Sequence, residues 1–186
     1  MPIGDLQYCI RIINNYKQEL VDSNWYQTFI NTLQDYHSSF DEIRCLALGK
    51  ISDAVNPRFQ LALLLLLQEQ YHPKRITAWD PVFNDMDRDI LSHFNIVVTE
   101  ENPEQTCKAA TLWYIPHGPM SMIESLIPAI QQDLYIGNNL LELDLEKTSP
   151  QSLAYSKKAR ITPINTNKKE RWFQAFNSMA IHALSD

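Results

Sequence analysis

Glycine is scarce in this chain, with four in 186 residues. That excludes collagen-like and glycine-rich low-complexity architectures. Cysteine is as rare: Cys9, Cys45 and Cys107 stand far apart, in or beside apolar segments, with no CxxC pair and no Cys/His group at zinc-ligand spacing. The pattern excludes a disulfide framework, gives no structural metal site, and predicts reduced thiols in a reducing compartment, cytoplasmic and nuclear. Positive charge is in deficit, 16 Lys and Arg against 22 Asp and Glu, for a net charge of −6. General binding to a phosphate backbone needs clustered cations, so no direct nucleic-acid partner is expected. Lys157-Lys158 and Lys168-Lys169 are the local exceptions and read as solvated surface. The longest aliphatic run, Leu61 to Leu67, is about one-third of what a bilayer span needs, so no membrane partner is expected. The opening MPIGDLQYCI lacks the basic and apolar regions of a secretory signal.

What is present describes a compact globule. With 45% hydrophobic and 20% charged residues, the whole chain, 1–186, reads as a single domain able to bury a core of ordinary size. Within it, a helical segment over 1–40 is expected to pack on an α/β core over 41–186. Apolar residues at Leu6, Cys9, Ile10, Ile13, Tyr16 and Leu20 form one stripe of a first helix. Ser23 has the chemistry of an N-cap for a second helix that buries Trp25, Phe29, Leu33 and Tyr36.

An alternation of short apolar runs and helical patterns follows. Strands are predicted at 43–48, 75–79, 95–99, 111–115 and 134–136, with a sixth at 160–164; helices are predicted at 57–71, 85–94 and 119–130, and a C-terminal helix from Lys168 burying Trp172, Phe176, Met179 and Ala183. The segment Glu142 to Lys158, polar and interrupted by Pro150, reads as a mobile loop. The βαβα alternation predicts a Rossmann-like three-layer sandwich: a mostly parallel sheet of five or six strands, helices on both faces and two helices ahead of it.

In an open parallel sheet, polar residues just past the strand ends converge where the strand order reverses. That rule selects Gly49, Ser52, Asp80, Pro116, His117, Gly137 and Asn138 as a candidate ligand site. Gly49 permits a sharp turn toward an anion at a helix N-terminus, or simply joins a strand to a helix. The full GxGxxG pattern is absent, since Ala47 and Ser52 occupy the outer positions. Asp80 suits the ribose hydroxyls of a nucleotide or of S-adenosylmethionine, or caps the turn before Pro81. His117, between Pro116 and Gly118, is chemically able to move a proton or ligate haem, or it organises its loop. Gly137 and Asn138 close the fifth strand, where amides turn into the crevice or satisfy the local turn. Asp87 and Asp89 read as an exposed helix start, and His37, His72, His93 and His182 as ordinary residues on helices or at their ends.

Leu46-Ala47-Leu48-Gly49 with Ser52, Gln60-Leu61-Ala62-Leu63-Leu64, Asp80-Pro81-Val82-Phe83, Pro116-His117 and Ile136-Gly137-Asn138, in this order and spacing, resemble the SRR-like family, named for the plant phenotype "sensitivity to red light reduced". The resemblance covers residues 43–140. It implies an intracellular regulatory protein: plant members are linked to light signalling and circadian timing, fungal relatives to microtubule-related phenotypes and animal relatives to haem metabolism. Family members often carry Cys directly after the Pro-His pair, where this chain has Gly118. Three functions follow as expectations: a regulatory module working through protein partners with a small-ligand crevice, a transferase using S-adenosylmethionine or another nucleotide-like cofactor, and a haem sensor ligated by His117.

Overall fold

The computed structural model describes residues 3–36, 39–100, 110–131, 133–142 and 148–184. Its elements are α1 (Ile3–Val21), α2 (Asn24–Gln34), β1 (Glu42–Leu46), α3 (Val55–Tyr71), β2 (Arg75–Trp79), α4 (Asp85–His93), β3 (Val97–Val98), β4 (Thr111–Ile115), α5 (Met120–Ile130), β5 (Leu134–Asn138), α6 (Pro150–Lys158), β6 (Ala159–Ile164), α7 (Phe173–Phe176) and β7 (Met179–Leu184). The strands form one sheet in the order β3-β2-β1-β4-β5-β7-β6. β1 pairs in parallel with both β2 and β4, β2 with β3 and β4 with β5. β7 is antiparallel to both of its neighbours, β5 and β6. The sheet is therefore mixed and has seven strands, against the five or six mostly parallel strands expected.

The layers follow from strand direction and handedness. From β1 the order runs outward to β2 and β3, and from β4 it runs the opposite way to β5; right-handed crossovers then place α3 and α4 on one face and α5 on the other. Side chains sort accordingly: Leu112 and Tyr114 join the core under α1, α3 and α4, while Trp113 and Ile115 join the core under α5. Helix α3 is covered on all sides, with every residue from Phe59 to Leu67 buried. That explains why its sequence is apolar all round rather than striped. On its outer side lies α1, whose Cys9, Ile13, Tyr16 and Leu20 are buried at helical spacing. Ser23 caps α2 by accepting the Tyr26 N–H at 3.1 Å.

Two expectations are corrected. The part of the 142–158 loop that is described, Pro150–Lys158, is helix α6: Ser149 accepts the Ser152 N–H, and Pro150 occupies the first turn, where it lacks only an N–H that would have no partner. Residues 143–147 lie outside the described residues. The helix expected from Lys168 onward is one turn, α7, followed by β7. Met179 to His182 are all buried because β7 lies inside the sheet with a layer on each face. Such a strand shows no polar alternation, so its apolar residues also matched a helical spacing.

Candidate functional site

The strand order reverses between β1 and β4, whose carboxyl ends form the centre of a continuous rim. Next to β1, the chain passes through two left-handed residues, Ala47 (φ 55°) and Gly49 (φ 80°). The Gly49 N–H donates to Asp80 Oδ2 at 2.8 Å, while Asp80 Oδ1 accepts the Val82 N–H at 3.0 Å. Asp80 thus caps its own turn and also anchors the neighbouring one, so its two sequence-level readings are not alternatives. Ser52 follows: its N–H donates to Asp87 Oδ1 at 2.7 Å, and its hydroxyl accepts from Asn84 Nδ2 at 3.1 Å.

Asp87 was expected to be an exposed helix start and is fully buried, at 0% exposure. Its other oxygen accepts the Asn84 N–H at 3.0 Å, and Asn84 in turn accepts the Asp87 N–H at 2.9 Å, a reciprocal capping box on α4. The Asn84-x-x-Asp87 spacing was the signal for it. Two carboxylates, Asp80 in the β2–α4 connection and Asp87 in the first turn of α4, therefore hold the β1–α3 turn. Arg58 grips the same turn from α3, donating from Nε to the Ile51 carbonyl at 2.8 Å and from Nη2 to the Ser52 carbonyl.

Past β4, Pro116 is buried and His117 adopts φ 56°. The His117 ring lies at the surface with Nε2 donating to the Ala175 carbonyl at 3.2 Å, alongside Gln60 Nε2 at 3.0 Å on the same oxygen. Desolvation lowers its pKa below 6.5, partly offset by that hydrogen bond. Gly118 is packed so closely that a Cβ there would stand 2.6 Å from Ile115 Cγ2 and 3.8 Å from Ala47 Cβ. The turns after β1 and β4 are therefore in contact, and a side chain such as cysteine at 118 would have to displace Ile115.

Gly137 lies inside β5, paired with Ile115 and Ala180, rather than in a turn. A Cβ at Gly137 would meet the Tyr135 ring at 2.3 Å, so this glycine makes room for a folded-back tyrosine. Asn138 does reach the rim: Nδ2 donates to the Gly118 carbonyl at 2.9 Å. Its own carbonyl accepts His182 Nε2 at 3.0 Å. His182, expected on a helix, is fully buried in β7 and stacked on Tyr135 at 4.7 Å. Burial pushes its pKa down to about 3, with the Asn138 bond acting the other way.

Gly49, Asp80, Gly118 and Asn138 are thus joined edge to edge across β2, β1, β4 and β5, and Ser52 continues the rim toward α4. His117 borders it but turns to α7, and Gly137 supports it from within the sheet. The donors along this rim are mainly backbone groups. Helices α2, α4 and α6 have side-chain caps from Ser23, Asn84 and Ser149. Helices α3 and α5, whose N-termini flank the reversal point, start at Ala54 and Pro119 without any side-chain cap. Their first-turn N–H groups and positive dipole ends are of the kind that favour negative charge.

A model of the SRR1 domain matches residues 25–183. The chain belongs to the SRR1 domain family. The SRR1-like protein of Mus musculus is 28% identical over 120 residues, covering 58% of this chain and 48% of that protein. The chain therefore spans about half the length of the curated relative it matches. Among solved structures, a Thermoplasma acidophilum protein aligns with a TM-score of 0.45 at 15% identity, covering 92% of this chain and 94% of that one. The 23S rRNA methyltransferase ErmE aligns with a TM-score of 0.46 at 13% identity, covering 86% of this chain and 68% of that one.

Within this SRR1 domain, the segments that carry the family resemblance fall on the rim or directly behind it. Gln60 is buried; its carbonyl accepts the Tyr114 hydroxyl at 3.0 Å, and its amide meets the same Ala175 carbonyl as His117. Cys45, one residue before the end of β1, carries a thiol whose pKa burial raises strongly, with the nearby negative charge of Asp80 adding to it. A thiol so buried and so firmly protonated is no nucleophile. No group of three or more His, Cys, Asp or Glu side chains among the described residues could hold a metal ion, and none of their helices is long and apolar enough to cross a membrane.

Proposed function

We propose that this SRR1 domain is a regulatory binding module that takes a small anionic, nucleotide-like molecule at the reversal point between β1 and β4. The observation that carries the reading is the contrast in capping: α3 and α5, next to the reversal point, and the single turn α7 start without a side-chain cap, while α2, α4 and α6 are closed by side chains. Capping is worth about 1 kcal/mol per helix, so two uncapped ends side by side favour a ligand that supplies the missing acceptors. Binding rather than turnover fits the side chains on the rim. Asp80 is engaged by two backbone N–H groups, His117 Nε2 by a carbonyl, and Cys45 is buried. An axial haem role for His117 fits poorly, because its Nε2 is already engaged. The module would work inside the cell, in cytoplasm and nucleus, by presenting a liganded surface to protein partners.

Titration calorimetry against ATP, NAD, S-adenosylmethionine and S-adenosylhomocysteine tests this. At least one should bind, and Asp80→Asn, which retains only one of the two acceptor oxygens, should weaken it tenfold or more while circular dichroism stays unchanged. Absence of binding by all four at millimolar concentration refutes the reading.

A transferase using S-adenosylmethionine is the second reading, favoured by the place of Asp80 at the end of β2, 31 residues beyond Gly49. In that case Asp80 exchanges the Gly49 N–H for ribose hydroxyls. Selective binding of S-adenosylmethionine together with methyl transfer to an added acceptor would establish it over the first.

A further inference from the structure

A cavity of about 380 Å³ lies between α2 and the outer strand of the sheet, β6. Its floor is apolar and aromatic, from Trp25, Phe29, Ile164 and Ile181. Phe29 and Ile181 are buried, at 4% and 1% exposure, so the opening reaches the core. The volume lies in the range of small-ligand pockets and is too small for a folded partner.

The one charged residue in its lining is an acid, Glu170, in the β6–α7 connection. The backbone of Glu170 is fixed on both sides: its N–H donates to the Asn167 carbonyl at 2.9 Å, and its carbonyl accepts the Phe173 N–H at 3.1 Å. In sequence it is flanked by Lys168, Lys169 and Arg171, the cations nearest to hand for an ion pair. Arg171 instead reaches Glu19 at 2.7 Å, and Lys168 and Lys169 are exposed outside the lining. Among the described residues no hydrogen bond or ion pair engages the half-buried Glu170 carboxylate. The rest of the wall leans the same way. Thr28 and Thr32 donate their hydroxyl protons to the carbonyls of Asn24 at 2.9 Å and Thr28 at 2.8 Å, which leaves their oxygens as acceptors only. The amides of Asn24, Asn165 and Asn167 both donate and accept, so the bias comes from the hydroxyls and the carboxylate.

We propose that this cavity binds a small primary amine with an aromatic or aliphatic body, its ammonium donating to Glu170 and its body lying on the floor formed by Trp25, Phe29, Ile164 and Ile181. An ammonium brings three donors and no acceptor, the complement of a wall rich in acceptors. A polyol brings an acceptor with every hydroxyl and leaves part of them unmatched. An anion meets a carboxylate and no lining cation. A single carboxylate, with Lys168 and Lys169 next to it in the chain, matches one positive charge and disfavours a polyamine.

The test is titration of the full chain with 2-phenylethylamine, followed by nuclear magnetic resonance, beside three probes of similar size: neutral 2-phenylethanol, anionic phenylacetate and the polyol glucose. The amine should saturate at millimolar concentration and bind about tenfold or more tighter than 2-phenylethanol, the effect of one charge-assisted contact. Glu170→Gln, which keeps the shape and removes the charge, should weaken the amine about tenfold or more and leave 2-phenylethanol unchanged. A residue that only supported the fold would shift both probes together. Thr28→Trp, at an exposed helical position that borders the cavity, should weaken amine and alcohol alike with the circular dichroism spectrum intact; if that spectrum changes, the Glu170→Gln comparison decides alone. The proposal is overturned if the amine does not bind at millimolar concentration, if Glu170→Gln leaves its binding unchanged, or if a folded Thr28→Trp chain binds it as before. It is also overturned if 2-phenylethanol, phenylacetate or glucose binds as tightly as the amine.

Discussion

Replacing Asp87 by alanine removes a carboxylate that is wholly buried and accepts two backbone N–H groups, Ser52 at 2.7 Å and Asn84 at 3.0 Å. Neither N–H has another acceptor among the described residues, and the space left behind is apolar on the α4 side, where Met86, Ile90 and Leu91 are buried. Hydrogen bonds to a charged group contribute about 1.5–3 kcal/mol each, and a buried donor left alone costs about 1–3 kcal/mol. Part of that is recovered because water can reach the partly exposed Ser52, so we expect a loss of about 3 kcal/mol rather than the sum. For a domain of this length that is roughly 6–12 °C in Tm. Urea unfolding followed by circular dichroism measures it, with Asp89→Ala as the reference: Asp89 is exposed on the same helix and should cost about 0.5 kcal/mol or less. Asp87→Asn should fall between the two, since its amide oxygen serves one of the two donors. A cost for Asp87→Ala below about 1 kcal/mol, or equal to that of Asp89→Ala, would refute the argument that the first-turn carboxylate of α4 holds the β1–α3 turn.

His182 and Gly137 offer two further checks on the other half of the rim. Burial holds the His182 pKa down to about 3 in the folded chain against an ordinary 6.5, so between these values the unfolded chain binds a proton that the folded chain refuses. Stability should therefore fall as pH drops below 6.5, with a His182 contribution of up to about 1.4 kcal/mol per pH unit. Comparing urea midpoints at pH 6.5 and 5.5 for the native chain and His182→Phe isolates it, and identical slopes would show that His182 titrates normally. Gly137→Ala should cost about 2 kcal/mol or more, because its Cβ would be 2.3 Å from the Tyr135 ring and the interior must shift. Gly49→Ala should cost about 1 kcal/mol for its left-handed backbone alone; a Gly137 variant as stable as the native chain would contradict the packing described.

The features legible in the sequence were those determined by local pattern. β4 was read at its observed limits, and α3, α4 and α5 to within two residues, because each is an apolar or periodic run bounded by Pro, Gly or Asn. The rim was legible for the same reason: residues that follow parallel strands end up on one edge whatever their identity. Three features escaped. Pro150 was read as an interruption, although a proline directly after Ser149 is also a helix start, and only the neighbours of α6 decide between the two. β7 escaped because a strand buried on both faces carries no alternation. The burial of Asp87 and His182 escaped because it depends on partners 35 and 44 residues away in sequence, Ser52 and Asn138, which no local window contains.

β7 also links the two faces of the sheet. Ile181 lines a cavity between α2 and β6 on one face of the sheet, and its neighbour His182 holds Asn138 on the opposite face, as strand alternation requires. A strand that is paired on both sides and buried on both faces has no nearby alternative register, since a slip of one residue would send Ile181 and His182 to each other's faces. The two faces therefore share a fixed strand rather than a moving part. A mechanical signal between them would need an element with two arrangements of similar energy, and β7 is poorly suited to supply one.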